Sequence, residues 1–570
     1  MATESFFSNA SLAYLASAGA GKDGKTYSIK PSDGTGDFTF SRGSNLTATR
    51  VGSNGLIEKG RENKFLQSNN FTTSWTASNL TVTSGEAGYD GTNDAWKFLP
   101  SGAPLTHFLY QNVTGGGVVT FSIYAKAAGY PGLFVYSDNS FAGKYFNVQN
   151  GTLGDDYGSP IDSSITAVGN GWYRCTVTVQ HASGNFNIFV SPDGVNTYGM
   201  TADGTSAVLV QDAQMEGGLV ATDYIESGAS TGKAGLLENE PRFDYSGGAT
   251  CPSLLLEPQR VQLVPQSEYI TSSSGLATIE YNGGISPEGV SNAIRVIENT
   301  STSFHTLNSS ATISSTNSHT LSVFVKTDGV RNTINLRSGI STNIYTSSVF
   351  TLSGSGSYAG SDGGIKSYGN GWYRIHWTFS HTQTGTATLF FNASYYAGTG
   401  QEWFFYGAQL EEGSYPTSYI PNHSGGSVTR SIDIISKDLT SVINNNQMTM
   451  FVDVKSLTSI TTVIAANNFG DLRWYHLPAN TFRFYKMDDA TWITNSFVVN
   501  EGDKIALTLT DTQAKLFVNG AQVGTTFTLT TSFQNFSNLN YNVGSSKNEW
   551  NQLLFFSTPL SDADCITLTT

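Results

Sequence analysis

The densest aromatic and polar cluster in the sequence runs Arg473-Trp474-Tyr475-His476, then Phe484-Tyr485-Lys486-Met487-Asp488-Asp489, then Trp492. A sugar is held by aromatic faces against its C–H groups and by amides or carboxylates on its hydroxyls. Trp474, Tyr475, His476, Tyr485 and Trp492 are therefore the candidate glycan-binding residues. The competing reading is that they alternate into a sandwich core. Tyr130 and the pair Tyr395-Tyr396 are weaker aromatic candidates.

Hydrolysis would need two carboxylates across a cleft. The adjacent pairs are Asp155-Asp156, Glu411-Glu412 and Asp488-Asp489. Neighbours on a strand point to opposite faces, so no such pair can flank one bond. The eight histidines show no HExxH spacing, and no GxSxG elbow is expected in a strand-helix context. No enzyme activity and no organic cofactor are expected. Calcium at Asp-Gly turns is the one ion considered.

These residues sit in a chain that reads as β nearly throughout. Val118–Lys126, Trp172–Val179 and Asn185–Val190 are rich in β-branched and aromatic residues, the last two alternating with period two. Gly, Asn, Asp and Ser bound them, as turns require. The expected class is all-β: an N-terminal arm followed by three β-sandwich (jelly-roll) domains, two of them a tandem repeat.

The repeat carries the domain argument. Gly169-Asn170-Gly171-Trp172-Tyr173-Arg174 returns 200 residues later as Gly369-Asn370-Gly371-Trp372-Tyr373-Arg374. Phe121–Lys126 matches Leu321–Lys326 at the same offset. Ala213-Gln214-Met215-Glu216 matches Ala408-Gln409-Leu410-Glu411, and Thr222–Ile225 matches Thr417–Ile420, both 195 apart. Gln67-Ser68 matches Gln266-Ser267, 199 apart. Two copies of one β domain thus occupy 64–228 and 262–424. Asn-Gly supplies the turn before each Trp, and Trp172 and Trp372 are expected to fill the sandwich cores. Arg174 and Arg374 either pair with Glu216 and Glu411 or are solvated.

Residues 425–570 form a third, different unit, with an Asn519-Gly520 hairpin and a final helical turn capped at Ser561 or Asp562. Residues 229–261 read as a link and 1–63 as a separate anchoring and oligomerisation segment.

Composition excludes several classes. A net charge of −14 repels a phosphate backbone, so nucleic acid is not an expected partner. At 38% hydrophobic and 12% aromatic the chain is too apolar for disorder. Cys175, Cys251 and Cys565 lie far apart and are expected to be free, mostly buried thiols. No long apolar run predicts membrane insertion. The N-terminus lacks the basic region of a signal peptide, so synthesis in a cytoplasm is expected.

The segments DFTFSRGSNLTATRVGSNGLIE and ENKFLQSNNFTTSWT, the link PRFDYSGGATCPSLLLEPQR, and the GNGWYR and GAQLEEGSYPTSYIP pair resemble bacteriophage virion fibre and head-decoration proteins. Each repeat is similar to their carbohydrate-binding-module-like jelly rolls. The unit with KLFVNG and FFSTPLSDADC is similar to concanavalin A-like (laminin G-like) lectin sandwiches. The resemblance implies a structural virion component on capsid or tail that displays glycan-binding domains for adhesion. Its implied partners are host or environmental glycans and other virion proteins, in a homotrimer, with a homodimer as runner-up. A purely structural virion protein and a polysaccharide depolymerase are the alternatives.

Overall fold

The computed structural model describes residues 4–570, except 20, 44–45, 103, 393, 444–446, 458–462, 466–471, 478–480, 487–490, 531–532, 534–537 and 543–546. The chain is all-β. Its α-helices among the described residues are Glu4–Asn9 and Asp562–Thr569, the second capped by Ser561, whose hydroxyl accepts from the Asp564 N–H.

The first repeat is two facing antiparallel sheets. One has the strand order Asp162–Gly169, Trp172–His181, Gly117–Ala128, Ala207–Gly217, Ala95–Pro100, Leu80–Glu86. The other runs Thr152–Tyr157, Ala142–Asn147, Gly132–Ser137, Gly184–Ser191, Phe108–Val113, Thr76–Ser78. Alternation sends Phe121, Ile123, Leu133, Val135, Cys175, Val177, Phe186 and Ile188 into the space between them. Each such side chain stabilises by about 1.5–3 kcal/mol when fully buried. The second repeat reproduces the order, from Gly363–Ser367 and Tyr373–Phe379 through His319–Thr327 and Glu402–Glu412 to Ser291–Glu298 and Leu276–Ile285.

The repeated motifs are the devices that close each sandwich. Glu216 accepts from both the backbone N–H and the hydroxyl of Thr222, each at 2.7 Å. Gln214 donates to Glu216 at 2.6 Å and accepts from the Ile225 N–H. In the second copy Glu411 holds Thr417 at 2.5 and 2.7 Å, and Gln409 accepts from the Ile420 N–H. Ser68 and Ser267 meet the hydroxyls of Tyr224 and Tyr419 at 2.5 and 2.7 Å. Of the two alternatives for Arg174 and Arg374, the pairs with Glu216 and Glu411 do not form; these carboxylates bind Thr222 and Thr417. Arg174 and Arg374 donate instead to Ser122 and Ser322 and lie over Tyr124 and Phe324.

Asn170 and Asn370 adopt φ of +52° and +50°, the left-handed geometry their Asn-Gly turns need. Trp172 and Trp372 are buried, but not in the sandwich cores. They lie on the opposite face of their sheet, with Tyr124 and Ala95 in one copy and with Ile57, Phe324 and Tyr419 in the other. Tyr173, Cys175 and Val177 take the inward positions, so period two sends the neighbouring Trp172 outward.

The N-terminal segment and the link are not separate units. Leu12–Leu15 pairs with Asn548–Phe556, and so does Ser253–Leu256. Phe38–Ser41 pairs with Ile434–Asp438. Leu12, Tyr14, Phe38, Phe40, Phe243 and Leu254 share one core with Met450, Leu507 and Leu553. A free sheet edge is satisfied by whichever strand reaches it, here from hundreds of residues away. Arg242 ties the same junction: it is fully buried and bonds Glu257 at 2.7 Å and Asp433. Arg430 also meets Glu257, at 2.8 Å, and Arg42 meets Asp433, at 3.3 Å. Burial alone would raise the Glu257 carboxyl. Arg430 and Arg242 reverse that and hold it well below its usual range.

Two of the three cysteines, Cys175 and Cys565, are buried, while Cys251 is exposed; all are free thiols. No helix among the described residues is long and apolar enough to cross a membrane.

Candidate functional site

The outer face of the second sheet of the first repeat carries an aromatic cluster. On Gly132–Ser137, Leu133 and Val135 point to the core and Phe134 and Tyr136 point out. Cross-strand register then builds two rows. Tyr145, Phe134, Phe189 and Phe108 lie side by side across four strands. Tyr136, Asn187 and Tyr110 form the second row. Ring centroids are 4.2 Å apart for Phe134–Tyr145 and 4.6 Å for Phe108–Phe189, both stacked.

Two tyrosines cover this stack. Tyr157, on the edge strand, pairs with Gly143, which has no side chain to intervene. Its ring therefore reaches Tyr136 directly, at 5.2 Å and nearly perpendicular. Tyr198 comes from the loop after the Gly184–Ser191 strand and lies 5.4 Å from Phe189. Tyr157 and Tyr198 are 39% and 36% exposed, whereas Phe134 and Tyr145 are buried beneath them. Around the rings stand hydrogen-bonding groups: Asn187 donates to Asp138 at 2.7 Å and Asn112 to Asn185 at 3.2 Å. Burial and the neighbouring Tyr157 raise the Tyr136 hydroxyl, so it remains a neutral donor. The arrangement offers ring faces rimmed by amides, carboxylates and phenols, the chemistry of sugar binding.

The second repeat lacks this face. Its matching strands place Arg337, Gly339, Asn308 and Ser310 where the first has Phe134, Tyr136, Phe108 and Tyr110. At these positions only Phe390, in the place of Phe189, remains aromatic; Arg337 lies over it at 5.1 Å and over Phe304, beside Tyr395, at 5.5 Å. The inward residues stay apolar in both copies. The sequence signal for this face was aromatic residues spaced two apart, Phe108-x-Tyr110 and Phe134-x-Tyr136, on strands whose pairing was not legible.

Of the sequence-stretch candidates, Trp474, Tyr475 and His476 lie on the strand Leu472–Leu477, opposite Phe484, Arg483 and Phe482; their side chains are outside the described residues. Phe482 and Phe484 enter the core. Tyr485 and Trp492 are half-buried on the other face, 4.8 Å apart and edge-on, with Arg483 over Trp492 at 5.4 Å. The structure thus brings Tyr485 and Trp492 together. Tyr395 is exposed against Phe304, Tyr396 is bonded to Glu298, and the Tyr130 hydroxyl accepts from the Asp203 N–H.

Asp155 and Asp156 are exposed on an edge strand. Glu411 is buried in its clasp and Glu412 is bonded to Asn317 and Ser315. Asp488-Asp489 lies outside the described residues. Two buried carboxylates do come together, Glu268 and Glu288, joined by Lys59 and the Tyr406 hydroxyl. Burial opposes ionisation of Glu268, but Lys59 and His423 overcome it and bring its pKa down to about 2. Such a carboxylate is a poor proton donor near neutrality. No group of three or more His, Cys, Asp or Glu side chains among the described residues is arranged to hold a metal ion.

No family model matches the chain, and no curated protein matches it. Solved structures similar to it include domain 4 of AbnA, a GH43 extracellular arabinanase from Geobacillus stearothermophilus, in complex with arabinotriose. That likeness has 14% identity over 24% of this chain and 73% of that one, with a TM-score of 0.21. A Trypanosoma rangeli sialidase complex covers 93% of this chain and 98% of its own, at 10% identity and a TM-score of 0.19. The mavirus major capsid protein covers 60% and 86%, at 10% identity and 0.14. At such TM-scores these likenesses carry no argument about function.

Proposed function

We propose that this chain is a non-catalytic carbohydrate-binding component of a phage virion, and that it binds sugar on the aromatic face of its first repeat. The observation that carries the binding is the contrast between the copies: one fold, one core, and outward strand positions that hold Phe134, Tyr136, Phe108 and Tyr110 in the first repeat but Arg337, Gly339, Asn308 and Ser310 in the second. A fold requirement would act on both copies alike. The virion role and the adhesive purpose rest on the resemblance of the fibre-like segments and the repeat motifs. The acidic net charge fits a partner that is neither nucleic acid nor an acidic polymer.

Glycan-array binding of the full chain, repeated with Tyr157→Ala and Tyr198→Ala, tests the proposal. Binding to a defined set of glycans that both variants lose, at unchanged melting temperature, is the expected result. A folded protein that binds no glycan favours a purely structural virion component. Cleavage of a bound polysaccharide would instead make it a depolymerase.

A further inference from the structure

A cavity of about 150 Å³ lies where the N-terminal segment, the link, the second repeat and the C-terminal sandwich converge. Lys366, Arg374, His376 and Lys547 line it, with Asp244 and Tyr368. For a chain of net charge −14 this is an unusual concentration of cationic and N–H groups.

Three of these residues keep donors to spare, while Lys547 is held by Glu549. Lys366 has no acidic partner within ion-pair distance among the described residues, and His376 has no hydrogen bond there. Arg374 is only 8% exposed, and its Nε is buried without a hydrogen-bond partner. Burial and the adjacent Arg374 bring the His376 pKa down to about 4, leaving a neutral ring with one N–H to give. The acids nearby are already committed. Asp244 accepts from the backbone N–H of Val51 at 2.9 Å and of Ser246 at 3.1 Å. Glu549 holds Lys547 at 2.8 Å and Lys455 at 3.3 Å.

The first repeat again serves as the internal reference. Lys366 stands directly opposite Arg374, as Thr166 stands opposite Arg174. His376 has Thr176 as its counterpart, since each faces the same serine position, Ser322 or Ser122. Arg174 spends a further donor on the Thr222 carbonyl, at 2.5 Å. Arg374 makes no such bond, because Thr417 and Ser418 are drawn toward Glu257 and Arg430 at the junction. The shared fold therefore does not require the lysine, the histidine or the spare arginine donor.

We infer that this pocket binds a small oxyanion: sulfate, phosphate or the carboxylate of an acidic sugar. At about 150 Å³ it has room for a small oxyanion with a few waters, since about 10–15 Å³ of such space already holds one water. A buried guanidinium with an ammonium facing it gives the charge-assisted hydrogen bonds such a group needs. This site is separate from the aromatic face and lies in the other repeat.

Isothermal titration calorimetry of the full chain with sodium sulfate, sodium phosphate and sodium glucuronate, at constant pH and ionic strength, tests the inference. Saturable one-to-one binding is expected. It should weaken roughly tenfold in Lys366→Thr and further in Lys366→Thr/His376→Thr, variants that install the first repeat's own residues. Lys366 is exposed, so its single variant keeps the fold and carries the test if the double variant does not. Uptake of the inorganic ions alone assigns a free ion; uptake of glucuronate as well assigns an acidic sugar, and either supports the site. No saturable heat with any of the three, or equal affinity in wild type and Lys366→Thr, overturns it.

Discussion

Phe134 and Arg337 occupy the same place in two copies of one fold: each is paired across its sheet with the same position of the next strand, Phe189 in one case and Phe390 in the other. The exchange changes the surface and leaves the core alone. It is also the position from which the aromatic face is built, because Phe134 contacts Tyr145, Phe189, Tyr157 and Tyr198.

Tyr157→Ala and Tyr198→Ala should abolish glycan binding while changing stability by less than about 1 kcal/mol, since both rings are substantially exposed. Phe134→Ala, which removes a buried ring, should cost about 3–5 kcal/mol. Chemical denaturation and glycan binding measured on the same samples check both statements.

Glu411→Ala should cost about 2–4 kcal/mol. The change strips the Thr417 N–H and hydroxyl of their acceptor in a buried site. Glu216→Ala should behave alike in the first repeat. A loss below 1 kcal/mol in urea unfolding would mean that the clasp does not close the sandwich.

Deleting residues 1–41 should unfold the C-terminal sandwich. Leu12, Tyr14, Phe38 and Phe40 are core residues of that unit, and their strands complete its sheets. Limited proteolysis should find 425–570 degraded in the truncated protein. Survival of an intact C-terminal fragment would contradict the pairing seen.

Asp212 gives a pH dependence of known sign. Burial, with Asp94 and Asp90 adding to it, raises its carboxyl to about 6 despite the bond from Tyr89. A carboxyl raised on folding favours the folded state while it is protonated. That contribution is complete below the ordinary pKa near 4 and is lost as pH rises through about 6. Asp212→Asn should therefore stabilise the protein by about 1 kcal/mol at pH 8 and leave it unchanged at pH 3.5, with the full linkage value discounted for partial exposure. Asn suits the site's φ of +55° as well as Asp does. Thermal melts at the two pH values decide it.

By itself the sequence determined what is local. Period-two alternation and Asn-Gly turns specify strands and hairpins through nearest neighbours, and the 200-residue offset made the duplication legible. The Ser561 cap was readable for the same reason. Tertiary structure alone decided which edge each strand joins. Leu12–Leu15 and Asn548–Phe556 each show only a free row of backbone donors and acceptors, and nothing in either names the other. Face polarity was equally hidden: Trp172 looked like core because it opens an alternating strand, yet Tyr173 and Cys175 hold the inward register. The same holds for both sites. Phe108, Phe134, Tyr145 and Phe189 become one surface only when hydrogen-bonded register sets their strands side by side, and the local Lys366–Arg374 hairpin becomes a pocket only when the tertiary fold brings Asp244 and Lys547 to it.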